Sequence, residues 1–150
     1  KENRTIPPLD YGRVHRLRAR LAPLPVLLNG GLDTLDAAWA QMAHVDGVML
    51  GRAAYHHPMI LAEVDRRFFG ATTPMPTLEA VIHAMADYAE GQLGQGVRLN
   101  NIARHMLGLA NGLPGARQFR QIMSVDACRP GADASVFLRA LDCLPAAVDA

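Results

Sequence analysis

Asn29-Gly30-Gly31 and Gly51-Arg52 each close a short apolar run, Val26-Leu27-Leu28 and Val48-Met49-Leu50, and each is followed by a helical pattern. These residue types suit the binding of a phosphate. Glycines let a ligand approach the backbone, and the N–H groups at a helix start face its charge, helped by the helix dipole. Arg52 adds a planar guanidinium for charge-assisted hydrogen bonds. Two such turns side by side imply one phosphate-bearing cofactor lying across both, cradled by the N–H groups of Gly30, Gly31 and Gly51 and by Arg52. The plainer alternative is a pair of tight strand-to-helix turns. A dinucleotide fold is disfavoured because no G-x-G-x-x-G occurs.

A second group of residues bears on a polyanion. Arg117 and Arg120 are three apart, hence on one helix face, just after Pro114-Gly115-Ala116. The helix N-terminus and both guanidiniums are placed to meet the same anion, although two solvated arginines fit the pattern equally well. Beside Arg104, His105 is a further phosphate donor or a structural histidine. No acidic residue occurs from Gly91 through Val125, and Lys1, Arg4, Arg13, Arg16, Arg18 and Arg20 crowd the start. Only one of the 15 basic residues is Lys, and arginine's fork suits bidentate phosphate contacts. Two basic zones in a chain of net charge +1 point to a polyanion partner or to solvated helix faces.

The elements that must carry these residues alternate at first. Asp10 caps a helix with Val14, Leu17 and Leu21 inward, and Pro23 and Pro25 end it. Val26 to Leu28 forms a buried strand. Asp33 or Thr34 caps the next helix, whose inward residues are Leu35, Ala38, Trp39 and Met42. Val48 to Leu50 is a second strand, and Pro58 to Phe69 a helix with Ile60, Leu61, Val64 and Phe68 as its stripe. Strands alternating with helices imply a parallel sheet, and the two glycine turns match the ends of the last strands of a TIM (β/α)8 barrel.

Beyond residue 70 the strand pattern stops. Residues 71–77, with two prolines, form a linker. Helices are expected over Leu78 to Leu93 (Val81, Ile82, Met85, Tyr88 and Ala89 inward), Leu99 to Leu109, Ala116 to Ala127 and Ala134 to Leu144. The fold class is therefore α/β followed by all-α: residues 1–70 as the end of a barrel, 71–77 as a linker and 78–150 as a small helical bundle.

Composition narrows the classes. Half the residues are hydrophobic and 19% charged, which excludes a disordered chain. No apolar run reaches bilayer length. Cys128 and Cys143 have no partnering histidine pattern and read as packing residues, and His44, His56, His57 and His83 lack metal-ligand spacing, so no metal is expected. The first residues read as an internal loop, and the chain is expected to be a piece of a longer protein.

Three stretches together carry a resemblance: Lys1-Glu2-Asn3-Arg4 with Ile6-Pro7-Pro8-Leu9; Asn29-Gly30-Gly31 with Asp46-Gly47-Val48-Met49, Gly51-Arg52 and Ala54-Tyr55; and Arg104-His105-Met106-Leu107-Gly108-Leu109 with Gly112 and Pro114-Gly115-Ala116-Arg117 to Arg120. The chain resembles the C-terminal part of the tRNA-dihydrouridine synthases, A subfamily, through nearly all its length. The resemblance implies an FMN-dependent enzyme that reduces D-loop uridine of tRNA to 5,6-dihydrouridine, with NADPH reducing the flavin. The target base would have to leave its stack. It carries FMN-phosphate binding over to Asn29, Gly30, Gly31, Gly51 and Arg52, and tRNA binding to Lys1, Arg4, Arg117 and Arg120. The family's cysteine acid matches neither Cys128 nor Cys143 and falls upstream of Asn29, so no catalytic residue is assigned. Ala110 departs from the family's usual aromatic residue. The two cysteines suit a reduced, cytoplasmic chain, and the resemblance further implies a monomer.

Two rival readings remain beside it. As an isolated chain, the protein would be an RNA-binding module without activity, since two strands make no barrel. A barrel oxidoreductase acting on a small molecule is opposed by the acid-free, arginine-bearing helical stretch.

Overall fold

The computed structural model describes residues 8–145; the proposed tRNA contacts Lys1 and Arg4 lie outside the described residues. The structure is α/β, mostly helical, with one small parallel sheet. It divides into two compact units, Lys1–Ala54 and Tyr55–Ala150.

In the first unit, helix α1 (Tyr11–Leu21) is capped by the Asp10 carboxylate, which accepts from the Arg13 amide at 2.9 Å. Strand β1 (Leu27–Asn29) follows, then α2 (Leu35–Met42), whose cap is Thr34, accepting from the Ala37 amide at 3.1 Å. Strand β2 (Gly47–Met49) pairs with β1 in parallel, with Leu27 opposite Gly47 and Asn29 opposite Met49. The core of this unit is Leu28, Leu32, Leu35, Ala38, Val45 and Ala53.

Several expected faces differ. Helix α1 buries no residue, and Leu17 and Leu21 are exposed. Polar contacts hold it instead: the Arg18 guanidinium meets both Asp46 oxygens (2.9 and 3.4 Å), His15 pairs with the Gln41 side chain at 2.9 Å, and Tyr11 donates to the Gly30 carbonyl at 2.8 Å. Trp39 is exposed rather than inward; α2 buries Leu35 and Ala38, and Met42 is half-buried. In β1 only Leu28 is buried; Leu27 is 65% exposed and Met49 of β2 is 54% exposed, so one face of the two-stranded sheet carries no cover among the described residues.

The second unit begins within α3 (Arg52–His56), which runs into a 3-10 turn (Pro58–Glu63) and α4 (Val64–Phe69). The expected single helix over 58–69 is thus split, with Leu61 exposed and no fully buried residue. Helix α5 (Leu78–Leu93) is capped by Thr77 and buries Ile82, Ala86 and Ala89, four and then three residues apart; Tyr88 falls off that stripe and is exposed. Next come α6 (Leu99–Ala103), α7 (Ala116–Val125), a 3-10 turn (Asp126–Cys128) and α8 (Ser135–Leu141). Phe119 of α7 and Phe137 of α8 are fully buried at the centre of the core, with Met123, Ile102 and Met106 around them.

The helix expected over Leu99 to Leu109 stops at Ala103 and continues as three-residue turns, such as Met106 to Ala103 and Leu109 to Met106. Gly108 lies within this stretch of turns. A Cβ there would sit 2.5 Å from the His56 carbonyl oxygen, so the chain passes close over the end of α3 at a residue with no side chain. Cys143 is half-buried, but Cys128 is exposed, donating to the Ser124 carbonyl at 3.2 Å, and so is not a packing residue.

Candidate functional site

The parallel register places the two glycine turns side by side. Asn29 ends β1 opposite Met49 at the end of β2, so Gly30-Gly31 and Gly51-Arg52 emerge from the same edge of the sheet. A cavity of about 320 Å³ opens there, lined by Asn29, Gly30, Gly31, Gly51, Arg52 and Asp33, among others. All five residues expected to grip a phosphate line one cavity.

The backbone of this cavity is shaped by glycine. Gly30 (φ 130°) and Gly31 (φ 64°) occupy the left-handed half of backbone space. A Cβ on Gly31 would collide with the Leu9 side chain and come within 3.2 Å of the Tyr11 hydroxyl. Tyr11 holds the Gly30 carbonyl. Since a trans peptide sets its C=O and N–H on opposite sides, the Gly31 N–H is turned away from Tyr11. At Gly51, by contrast, nothing lies within 4 Å of a Cβ position, so its backbone is open to an incoming group. Arg52 is exposed and supplies positive charge, while Asp33 supplies the opposing one.

At the opposite end of the sheet, where both strands begin, Asp46 ties the chain together. Its carboxylate accepts from the Val26 amide at 2.9 Å as well as from Arg18, and its own amide donates to the Val26 carbonyl at 3.0 Å. The Arg18 hydrogen bond, followed by the Val26 amide, holds the Asp46 carboxyl below the usual carboxylate range.

In the second unit the two candidate arginines part company. Arg117 lines a cavity of about 710 Å³ along α7, together with Gln118, Gln121, Arg129 and Asp126. Arg120 turns to the Asn111 side chain, donating to its oxygen at 3.0 Å. Asn111 in turn donates to the His56 carbonyl at 2.6 Å, satisfying a carbonyl at the C-terminus of α3. His105 is not a free phosphate donor. Its Nε2 accepts from the Arg104 Nε–H at 3.0 Å and its Nδ1 meets the Tyr55 hydroxyl at 3.1 Å. The ring of Tyr55 makes T-shaped contacts with both His105 (centroids 5.9 Å apart) and His56 (5.6 Å).

Tyr55, His56 and Asn111 did not stand out in the sequence as functional residues. The one signal was Gly108, a glycine within an otherwise helical pattern, which marks a close backbone approach. Among the described residues, no three His, Cys, Asp or Glu side chains gather to hold a metal, and no helix is long and apolar enough to cross a membrane.

A model of the dihydrouridine synthase (Dus) family matches residues 1–140. A tRNA-dihydrouridine(20/20a) synthase of Salmonella typhi is 51% identical over 141 residues, covering 94% of this chain and 42% of that protein. The protein of the same name in Vibrio cholerae is 46% identical over 145 residues, 97% of this chain and 44% of its own. That of Escherichia coli strain K12 is 50% identical over 141 residues, 94% and 41% respectively. This chain therefore spans less than half the length of these relatives. With its match running almost end to end, the chain belongs to the dihydrouridine synthase family.

Proposed function

We propose that the chain is the C-terminal part of an FMN-dependent tRNA-dihydrouridine synthase. On this reading residues 1–70 close a (β/α)8 barrel, 71–77 link, and 78–150 form a helical tRNA-binding domain. The observation that carries it is the parallel register of β1 and β2, which sets both glycine turns and Arg52 around one cavity. Phosphate sites at the ends of the last strands are common in such barrels.

The residues fit an anionic phosphate. Left-handed glycines shape one wall, Gly51 leaves the backbone approachable, and Arg52 balances charge. The cavity lies at the low end of the roughly 300–1,000 Å³ range of ligand pockets, enough for a cofactor's phosphate end. Asn29, Gly30, Gly31, Gly51 and Arg52 would hold FMN there, with Asp33 free to accept from a neighbouring hydroxyl. Bound FMN, reduced by NADPH, would supply the hydride for reducing a uracil 5,6 double bond, the proton coming from the cysteine acid that the resemblance sets upstream of Asn29. The tRNA is taken by Lys1, Arg4, Arg117 and Arg120, two of them on a helix in an acid-free stretch. The name these relatives carry supports this substrate, and the solvent-exposed face of the small sheet supports a longer protein.

The test is made on the full-length protein that contains this chain. It is expected to purify yellow, and Arg52→Ala is expected to lower the flavin-to-protein absorbance ratio. An unchanged ratio in Arg52→Ala removes the phosphate assignment.

A further inference from the structure

A chain of contacts runs across the exposed surface of the second unit. Arg104 donates to His105, His105 meets Tyr55, Tyr55 packs against His56, the His56 carbonyl accepts from Asn111, and Asn111 accepts from Arg120. Every side chain on it lies among the residues of one compact unit. Two guanidiniums mark the ends, and an aromatic ring that is 53% exposed stands between them.

The bond pattern also sets the hydrogens. Because Nε2 of His105 accepts from Arg104, its one hydrogen sits on Nδ1 and is donated to the Tyr55 oxygen. The Tyr55 hydroxyl hydrogen is then free to point outward. His105 thus fixes the ring through its hydroxyl, and with His56 and His105 both set at steep angles to it the Tyr55 side chain still keeps half its surface open to solvent.

We infer that Tyr55 is an RNA contact: its exposed ring takes an unpaired base by stacking, while Arg104 takes the adjoining phosphate. An aromatic platform flanked by cations is how single-stranded nucleic acid is held, since every base has a π-face and every linkage a charge. Between Gly91 and Val125 no carboxylate opposes that charge. An acidic protein segment would use the arginines but would have no use for the ring. This inference rests on the tRNA reading above and extends it to residues outside the arginine pair of α7.

The experiment measures binding of the full-length protein to unmodified tRNA by fluorescence anisotropy over a range of salt concentrations. Arg117→Gln with Arg120→Gln serves as the reference for tRNA binding itself. Tyr55→Ala is expected to weaken binding about tenfold with the salt slope unchanged, because stacking releases no counterions. Tyr55→Phe is expected to recover most of that loss, which separates the ring from its hydroxyl and from misfolding. Arg104→Gln is expected to weaken binding and to lower the salt slope by about one. If the reference pair loses affinity while Tyr55→Ala binds as the parent does, the stacking role is overturned and the tRNA reading stands. Weakening by Arg104→Gln alone would likewise overturn it in favour of a plain cationic surface. Absence of tRNA binding by the parent protein overturns both.

Discussion

Arg120 and Asn111 are joined by a hydrogen bond of 3.0 Å, and this bond decides where an otherwise exposed guanidinium is held. Asn111 is itself anchored, through its amide, to the last carbonyl of α3. A residue outside any helix thereby couples the position of α7's arginine to the end of another element. Replacing Asn111 by Ala is expected to cost about 1 kcal/mol in chemical denaturation, the scale of one lost hydrogen bond with a carbonyl left behind. It is also expected to weaken tRNA binding less than removal of Arg120 does. Equal losses from the two substitutions would mean that Asn111 contacts the ligand itself.

For the arginines of α7, the expectation concerns salt. Converting Arg117 and Arg120 to Ala together is expected to reduce tRNA affinity and to flatten the dependence of log Kd on log salt by one to two units, roughly one per lost phosphate contact. A full slope retained in the double variant would make that helix face plain solvated surface.

Gly31→Ala confronts both the positive φ of 64° and the Leu9 side chain. The left-handed conformation alone costs about 1–2 kcal/mol for a residue with a Cβ. Lower thermal stability together with reduced flavin content is the expected result. Full flavin content in a stable Gly31→Ala protein would show that the turn's geometry is not needed for the cofactor.

Asp46 makes stability depend on pH in a defined direction. Its carboxyl is held below its ordinary value of 3.8, first by the Arg18 hydrogen bond and then by the Val26 amide. The ionised form is therefore favoured in the folded state. Its contribution is fully present above the ordinary value and is lost as pH falls below it, through the lowered one. Thermal melts of the parent and of Asp46→Asn are expected to differ by a constant amount between neutral pH and about pH 5, and to converge on further acidification. A gap that persists undiminished in acid would assign the effect to packing rather than charge.

In the helical core, Phe119→Ala removes a side chain that is wholly inaccessible to solvent. A loss of about 3–5 kcal/mol is expected, measured by denaturant unfolding. That is enough to abolish the cooperative melt of a marginal unit. A loss under 1 kcal/mol would show that the core closes over the gap.

Some of this was open to a reader of the chain alone. Asp10 and Thr34 cap their helices, and the glycine turns follow their strands, because caps and turns act over two or three neighbouring residues. The apolar stripe of α5 is found at Ile82 and Ala89 for the same reason, although Tyr88 was set on the wrong side of it. Periodicity does not weigh a large, half-polar ring against the small Ala86 that fits the crossing. That the two glycine turns share one cavity was legible because each turn carries a local signature.

What lay beyond the sequence is every relationship between distant residues. Tyr55 and His105 are 50 positions apart and Asn111 and His56 are 55 apart, and no local preference of either chain segment pairs them. Packing does so, by bringing Gly108 against the end of α3, where only a missing side chain permits the approach. Chain chemistry by itself determined the caps, the turns and the acid-free arginine stretch, since these need only neighbouring atoms. Tertiary structure alone decided that both nitrogens of His105 are occupied, that α1 is held by contacts with Asp46, Gln41 and Gly30 rather than by buried side chains, and that Arg120 leans on Asn111. Hydrogen-bond capacity is a property of a residue, but the partner that fills it is set by which backbones can come close.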